Sequence, residues 1–156
     1  MPTFRTSRRV RHSAQHMFDL VADVERYPEF LPWCVATRIS NVREDGFLAE
    51  MVIGFKMFRE RYVSRVDLDK PRRIDVSHFK GPFTHLRNHW IFEPAEGGCL
   101  VDFSVDFGFR SQLMDRLIGA VFHEAVRRMV SAFERRAAQL YPRLPAATPA
   151  DLLSGD

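Results

Sequence analysis

Hydrophobic positions repeat with two different periods along this chain. From residue 111 to about 141 the period is helical. Leu113, Leu117, Val121, Ala125, Met129, Phe133 and Ala137 recur every four residues, with Met114, Ile118, Phe122, Val126 and Val130 beside them. The two rows form an apolar stripe wider than a coiled-coil seam and predict one long amphipathic helix. Ser111 suits the N-cap, Asp115 puts negative charge in the first turn, and Pro142 ends the run. At 1.5 Å per residue the helix is about 45 Å long. Such a stripe is stable only against a broad apolar partner.

The preceding sequence supplies that partner with a period of two. Residues 3–10 alternate weakly and read as a first strand. Ser13 caps a short helix with Met17, Phe18, Leu20, Val21 and Val24 on its apolar face. Strands follow at 35–42, 47–55, 59–68, 73–79, 85–92 and 101–109. Glu44-Asp45-Gly46, Asp69-Lys70-Pro71 and Gly81-Pro82 mark turns between them, and Glu93-Pro94 with Gly97-Gly98 bounds another loop. The last strand alternates most cleanly, with Val101, Phe103, Val105, Phe107 and Phe109 on one face and Asp102, Ser104, Asp106 and Gly108 on the other. Phe47, Ala49, Met51, Ile53 and Phe55 share a face in the second strand of this run, Tyr62, Ser64, Val66 and Leu68 in the third, and Leu86, Asn88, Trp90 and Phe92 in the fifth. Consecutive strands with short turns make an antiparallel meander. The expected class is α+β: a curved antiparallel sheet of about seven strands around the long C-terminal helix, with two short helical pieces after the first strand. Residues 1–142 form one domain. The tail, 143–156, is rich in Pro and small residues and reads as disordered.

Composition adds bulk to this outline. The 156 residues include 14 Phe, against 2 Trp and 3 Tyr. That much aromatic volume fills either a Phe-rich core or a roomy apolar pocket. Net charge is +3, and the basic residues are almost all arginine. Acids are interspersed, so the surface reads as mixed; an anionic membrane or nucleic-acid partner is the other meaning of such a balance. No acid precedes Asp19, and the arginines there read as a basic first strand rather than a transit peptide. No signal peptide or transmembrane run is visible. Cys34 and Cys99 are the two cysteines, and they fit a reducing compartment better than a disulfide scaffold.

Catalytic chemistry finds little support. His85 and His89 share a strand face but lie roughly 13 Å apart, too far for one zinc. Cys34 has no histidine near it in sequence, and no nucleophile elbow or phosphate loop is present. The inward polar groups are Glu60, Tyr62, Ser64, His78 and Asn88. They serve either as core and rim groups or as members of a pocket. The hairpin tip Phe55-Lys56-Met57-Phe58 lacks the usual turn residues. It reads either as a tip that dips into a membrane interface or as a turn packed under the proline-rich bend.

The run Tyr27-Pro28-Glu29-Phe30-Leu31-Pro32-Trp33-Cys34 is the most specific stretch. With the helix before it, the strands after it and the terminal helix, the chain resembles the coenzyme Q-binding START-like proteins. Those belong to the polyketide cyclase/dehydrase superfamily, with the helix-grip fold. Bacterial members are also described as ribosome-association toxins. The resemblance implies a hydrophobic cavity between sheet and helix holding a polyprenylated quinone, and a carrier or chaperone role in respiration without a known reaction. Ubiquinone is then a bound ligand, and no cofactor is required. The residues expected around it are Tyr27, Phe30, Leu31 and Trp33 from the bend, and Met51, Ile53, Phe55, Tyr62 and Ser64 from the next strands. Asn88, Trp90, Phe103, Val105 and Phe107 follow from the later strands, and Leu117 and Val121 from the helix. Lys56, Met57 and Phe58, with Phe55, would touch a membrane peripherally from the cytoplasmic side. Two other readings stand: a ribosome-directed protein acting through its arginines, and a cyclase-like enzyme of the same fold. DNA is not an expected partner.

Overall fold

The computed structural model describes residues 3–55 and 58–145, the side chains of Phe55 and Phe58 excepted. Strand β1 (Thr3–Val10) leads into helix α1 (Ala14–Ala22) and a 3-10 helix (Val24–Glu29). Strands β2 (Cys34–Arg43), β3 (Gly46–Phe55), β4 (Phe58–Asp69), β5 (Arg73–Lys80), β6 (Phe83–Ala95) and β7 (Gly98–Phe109) follow, and helix α2 (Gln112–Leu140) ends the fold. The strands form one sheet in the order β1-β7-β6-β5-β4-β3-β2, antiparallel at every step. It curves around α2, as the two periods predict.

Local chemistry fixes the start of both α-helices. The Ser13 hydroxyl accepts from His16 N–H at 3.0 Å, and Ser111 does the same for Met114 at 3.2 Å. The Asp115 carboxylate accepts from Phe109 N–H at 3.0 Å, tying the start of α2 to the end of β7. Gly98 opens β7 directly beneath the end of β1. A Cβ there would lie 1.9 Å from the Val10 carbonyl oxygen, so no other residue fits.

The core gathers where α1, α2 and the sheet meet. Phe18 of α1 stands edge-on to Phe92 of β6 with centroids 5.9 Å apart, both fully buried. Phe133 of α2 meets Trp90, Tyr27 and Phe30 at 5.1, 5.4 and 5.3 Å. Edge-on aromatic contacts of this kind add to the area they bury. Outside the core, Arg8 of β1 grips Glu134 through two hydrogen bonds of 3.1 and 2.9 Å, holding the far half of α2 to the sheet edge.

Pro28 lies inside the 3-10 helix of the bend. One boundary differs from expectation. Pro94 belongs to β6, not to a loop. Pairing with β5 stops at Ile91, so beyond it β6 has one neighbour and the missing N–H of Pro94 interrupts no ladder. After α2, Leu144 N–H donates to the Arg11 carbonyl at 2.6 Å, and Arg11 Nε donates back to Leu144 O at 3.1 Å. The rest of the expected tail, 146–156, lies outside the described residues.

Candidate functional site

Between the concave sheet face and α2 lies a cavity of about 480 Å³, within the range of small-molecule sites. Its walls follow from strand alternation. Met51 and Ile53 of β3, Tyr62 and Ser64 of β4, Asn88 and Trp90 of β6, and Phe103, Val105 and Phe107 of β7 all point into it. Tyr27, Leu31 and Trp33 close one end, and Val121 contributes from α2. These residues, singled out in the sequence, are brought together here.

Three others are not, or cannot be placed. Leu117 is 55% exposed and faces away from the cavity. A strict four-residue spacing overshoots a full turn by about 40° per step, so a row that ends buried at Phe133 and Ala137 begins in solvent at Leu113 and Leu117. Ile118, Phe122, Ala125, Met129 and Phe133 line the cavity instead. Phe30 turns away to pack on Tyr27 and Phe133, with the Arg136 guanidinium 5.1 Å over its ring. The side chains of the tip, Phe55-Lys56-Met57-Phe58, lie outside the described residues; the backbones of Phe55 and Phe58 pair with each other.

Sequence periodicity also missed Phe83 and Cys34 as cavity residues, and Phe109, read on the inward face, joins them at the wall. A register shift between Phe83 and His85 breaks the alternation, so Phe83 and Leu86 both face inward. Nothing in the sequence marks that bulge. Trp33 has φ of +67°, unusual for a bulky residue, and its carbonyl accepts from Gly54 N–H at 2.9 Å, anchoring the bend to β3.

Polar groups in the cavity are few and mostly engaged. The Asn88 amide donates to Ser104 O at 2.9 Å and accepts from Trp90 Nε1 at 3.0 Å, so it orients the indole. The Tyr27 hydroxyl donates to Val21 O. Among the described residues the Tyr62 hydroxyl meets only the thioether of Met51 at 3.3 Å, a weak acceptor. Burial raises both phenols far above their ordinary range, so both remain protonated donors. His78 sits against Phe83 with centroids 6.0 Å apart, and among the described residues its buried Nε2 has no hydrogen-bond partner. On the outer sheet face, His85 and His89 meet Asp106 and Asp75 separately. Among the described residues no group of three or more His, Cys, Asp or Glu could hold a metal ion.

The mouth is marked by the exposed lining residues of α2, Ala120, Glu124 and Arg128. Glu124 and Arg128 pair at 3.0 Å. Beside the mouth runs a polar groove of about 670 Å³, lined by Pro28–Pro32 of the bend and by Arg127, Arg128, Ser131 and Arg135. At its edge Arg136 donates to Glu29 at 2.6 Å, and this hydrogen bond holds the Glu29 carboxyl below its usual range.

Cys34 provides a readout of the cavity interior. Burial pushes its thiol from the usual 9.0 to about 11. Alkylation requires the thiolate, and two units leave roughly 100-fold less of it at pH 8. Iodoacetamide should therefore label Cys34 slowly at pH 8 and faster as pH rises towards 11, with a bound ligand slowing it further. Cys99, fully buried, should stay unlabelled in the folded protein. Mass spectrometry of the labelled peptides checks this; fast labelling of Cys34 at pH 8 would contradict the buried site.

Comparison with known proteins gives consistent matches. Residues 10–134 match the family described as polyketide cyclase/dehydrase and lipid transport. A ribosome association toxin RatA from Rickettsia prowazekii is 35% identical over 144 residues, spanning 90% of this chain and 99% of that one. The mitochondrial coenzyme Q-binding protein COQ10 homolog B from Xenopus laevis is 36% identical over 147 residues, spanning 90% of this chain and 60% of that protein. A START superfamily protein from Mycobacterium smegmatis superposes with a TM-score of 0.76 at 16% identity, covering 89% of this chain and 99% of that one, which shows the fold alone. The resemblance carried by the 27–34 run is borne out.

Proposed function

The chain belongs to the polyketide cyclase/dehydrase and lipid transport family, and from that membership we propose that it binds and carries a polyprenylated quinone. The fold itself is a hydrophobic-ligand binding fold. The observation that carries the finer reading is a largely apolar cavity lined by one phenol, Tyr62, whose hydroxyl meets a weak thioether acceptor. An isoprenoid tail needs apolar wall and little else. Each buried CH₂ contributes about 0.8 kcal/mol. A quinone ring needs a hydrogen-bond donor for a carbonyl oxygen, and Tyr62 stays protonated at any physiological pH. The name of the Xenopus relative supports the same ligand class.

The test is direct. Protein purified from a quinone-producing host is extracted with organic solvent and analysed by mass spectrometry, and the delipidated protein is titrated with ubiquinones of increasing tail length. Quinone in the extract and saturable binding are expected. Background phospholipid alone, with no binding on titration, would refute the reading. Tyr62→Phe should weaken quinone binding by about 2- to 12-fold, the value of one hydrogen bond, without destabilising the protein. An unchanged affinity would remove Tyr62 from the head-group site.

A second reading follows from the name of the Rickettsia relative, which aligns over nearly its whole length. In it the arginines of β1 and α2 contact ribosomal RNA. Co-sedimentation with ribosomal subunits that declines steeply with salt would support it, because phosphate contacts release counterions.

A further inference from the structure

We propose that the outward stripe of α2 docks on a bilayer containing anionic phospholipid and sets the cavity mouth against it. The proposal rests on the carrier reading, since a carrier must load and unload at a membrane. Leu113 and Leu117 are 63% and 55% exposed and lie one turn apart on one side of the helix. Ala120 and Glu124, on the same side of the helix, are exposed as well, so this face of α2 is uncovered. Arg116 is exposed in the same turns. Farther along the same stripe come Glu124, then Arg127, Arg128, Ser131 and Arg135 in the groove. From Leu113 to Arg135 the stripe runs about 33 Å.

The cavity opens on this stripe. Its exposed lining residues, Ala120, Glu124 and Arg128, lie between the leucines and the groove, and Leu31, Pro32 and Arg128 line both cavity and groove. Charge on the face is one-sided. Glu124 is paired with Arg128, and Glu29 with Arg136 and Arg26. Among the described residues Arg127 reaches only its own helix, at the His123 carbonyl. An apolar end that enters the interface, arginines at phosphate level and a lipid exit between them match a bilayer surface. RNA would match the arginines but leave the leucines unexplained.

The test is flotation of the full chain with vesicles of phosphatidylcholine alone or with phosphatidylserine added. Binding is expected only to the anionic vesicles and should weaken in salt. Arg116→Gln/Arg127→Gln/Arg135→Gln, which leaves the cavity wall untouched, should bind them about 100-fold more weakly, roughly 5-fold per arginine. Leu113→Ser/Leu117→Ser should lose about tenfold, mostly retained in high salt. Circular dichroism confirms that both variants fold. Equal binding to both vesicle types, or a triple-arginine variant that binds like the parent, would overturn the proposal. So would absent vesicle binding with salt-sensitive capture by ribosomal RNA that the same arginines abolish. Quinone extracted from the same samples reports the carrier function separately: quinone retained without vesicle binding refutes the docking face alone, and vesicle binding without quinone refutes the ligand alone.

Discussion

Replacing Ala125 with tryptophan should empty the cavity of lipid while the protein still folds. Ala125 lines the cavity near its mouth, where α2 presents its smallest inward side chain between Val121 and Met129. Enlarging a residue in a filled core costs about 1–3 kcal/mol in strain. Here the indole enters existing space of about 480 Å³, so the strain is relieved and some apolar contact is gained. The ligand loses what the indole takes. If it gives up only four methylene groups of contact, the loss is about 3 kcal/mol, more than 100-fold in affinity. Titration of delipidated protein measures the affinity, and urea unfolding should give a midpoint equal to or above that of the parent. A variant that binds quinone as tightly as before would mean that the lipid sits elsewhere, and the carrier reading would fail at this site.

The largest loss of stability should come from Phe133→Ala. Phe133 is 3% exposed and its ring touches the sheet at Trp90 and the bend at Tyr27 and Phe30. Removing a buried phenyl ring costs about 3–5 kcal/mol. With an urea slope of about 2 kcal/mol per molar, the midpoint falls by roughly 1.5–2.5 M. Phe133→Leu, which keeps most of the volume, should lose less than half of that. If both variants unfold at the midpoint of the parent, α2 is not held by this ring, and the helix is anchored through Arg8–Glu134 and the α1 contacts instead.

The sheet was legible because its inward faces alternate over long uninterrupted runs. Val101 to Phe109 is the clearest case, and every inward residue named there packs against the core or the cavity. The caps at Ser13 and Ser111 were legible because an N-cap is a local hydrogen bond, independent of what the helix packs on. The cavity wall was legible as far as alternation held. It failed at Phe83, where one extra residue in β6 reverses the inward face. On α2 it failed at Leu117, because a four-residue row winds around the helix and the sequence does not mark which turns of that row meet the sheet. Whether the phenylalanines leave space between them was not legible at all. Phe18 and Phe92 close on each other, while Phe107 and Phe109 border the void. That difference is set by the distance between layers, which no single segment encodes.

The pairing of β1 with β7 has a consequence for synthesis. Val10 lies opposite Cys99 and Thr3 opposite Asp106, so the first strand made has no neighbour until the last strand emerges. At about 5–20 residues per second, that wait is roughly 5–20 s on a translating ribosome. During it β1 is an unpaired edge, and its Arg5, Arg8 and Arg9 guard against pairing with another nascent chain. Helix α2 comes later still. The apolar concave face therefore stays uncovered until α2, the last element of the fold, has been made.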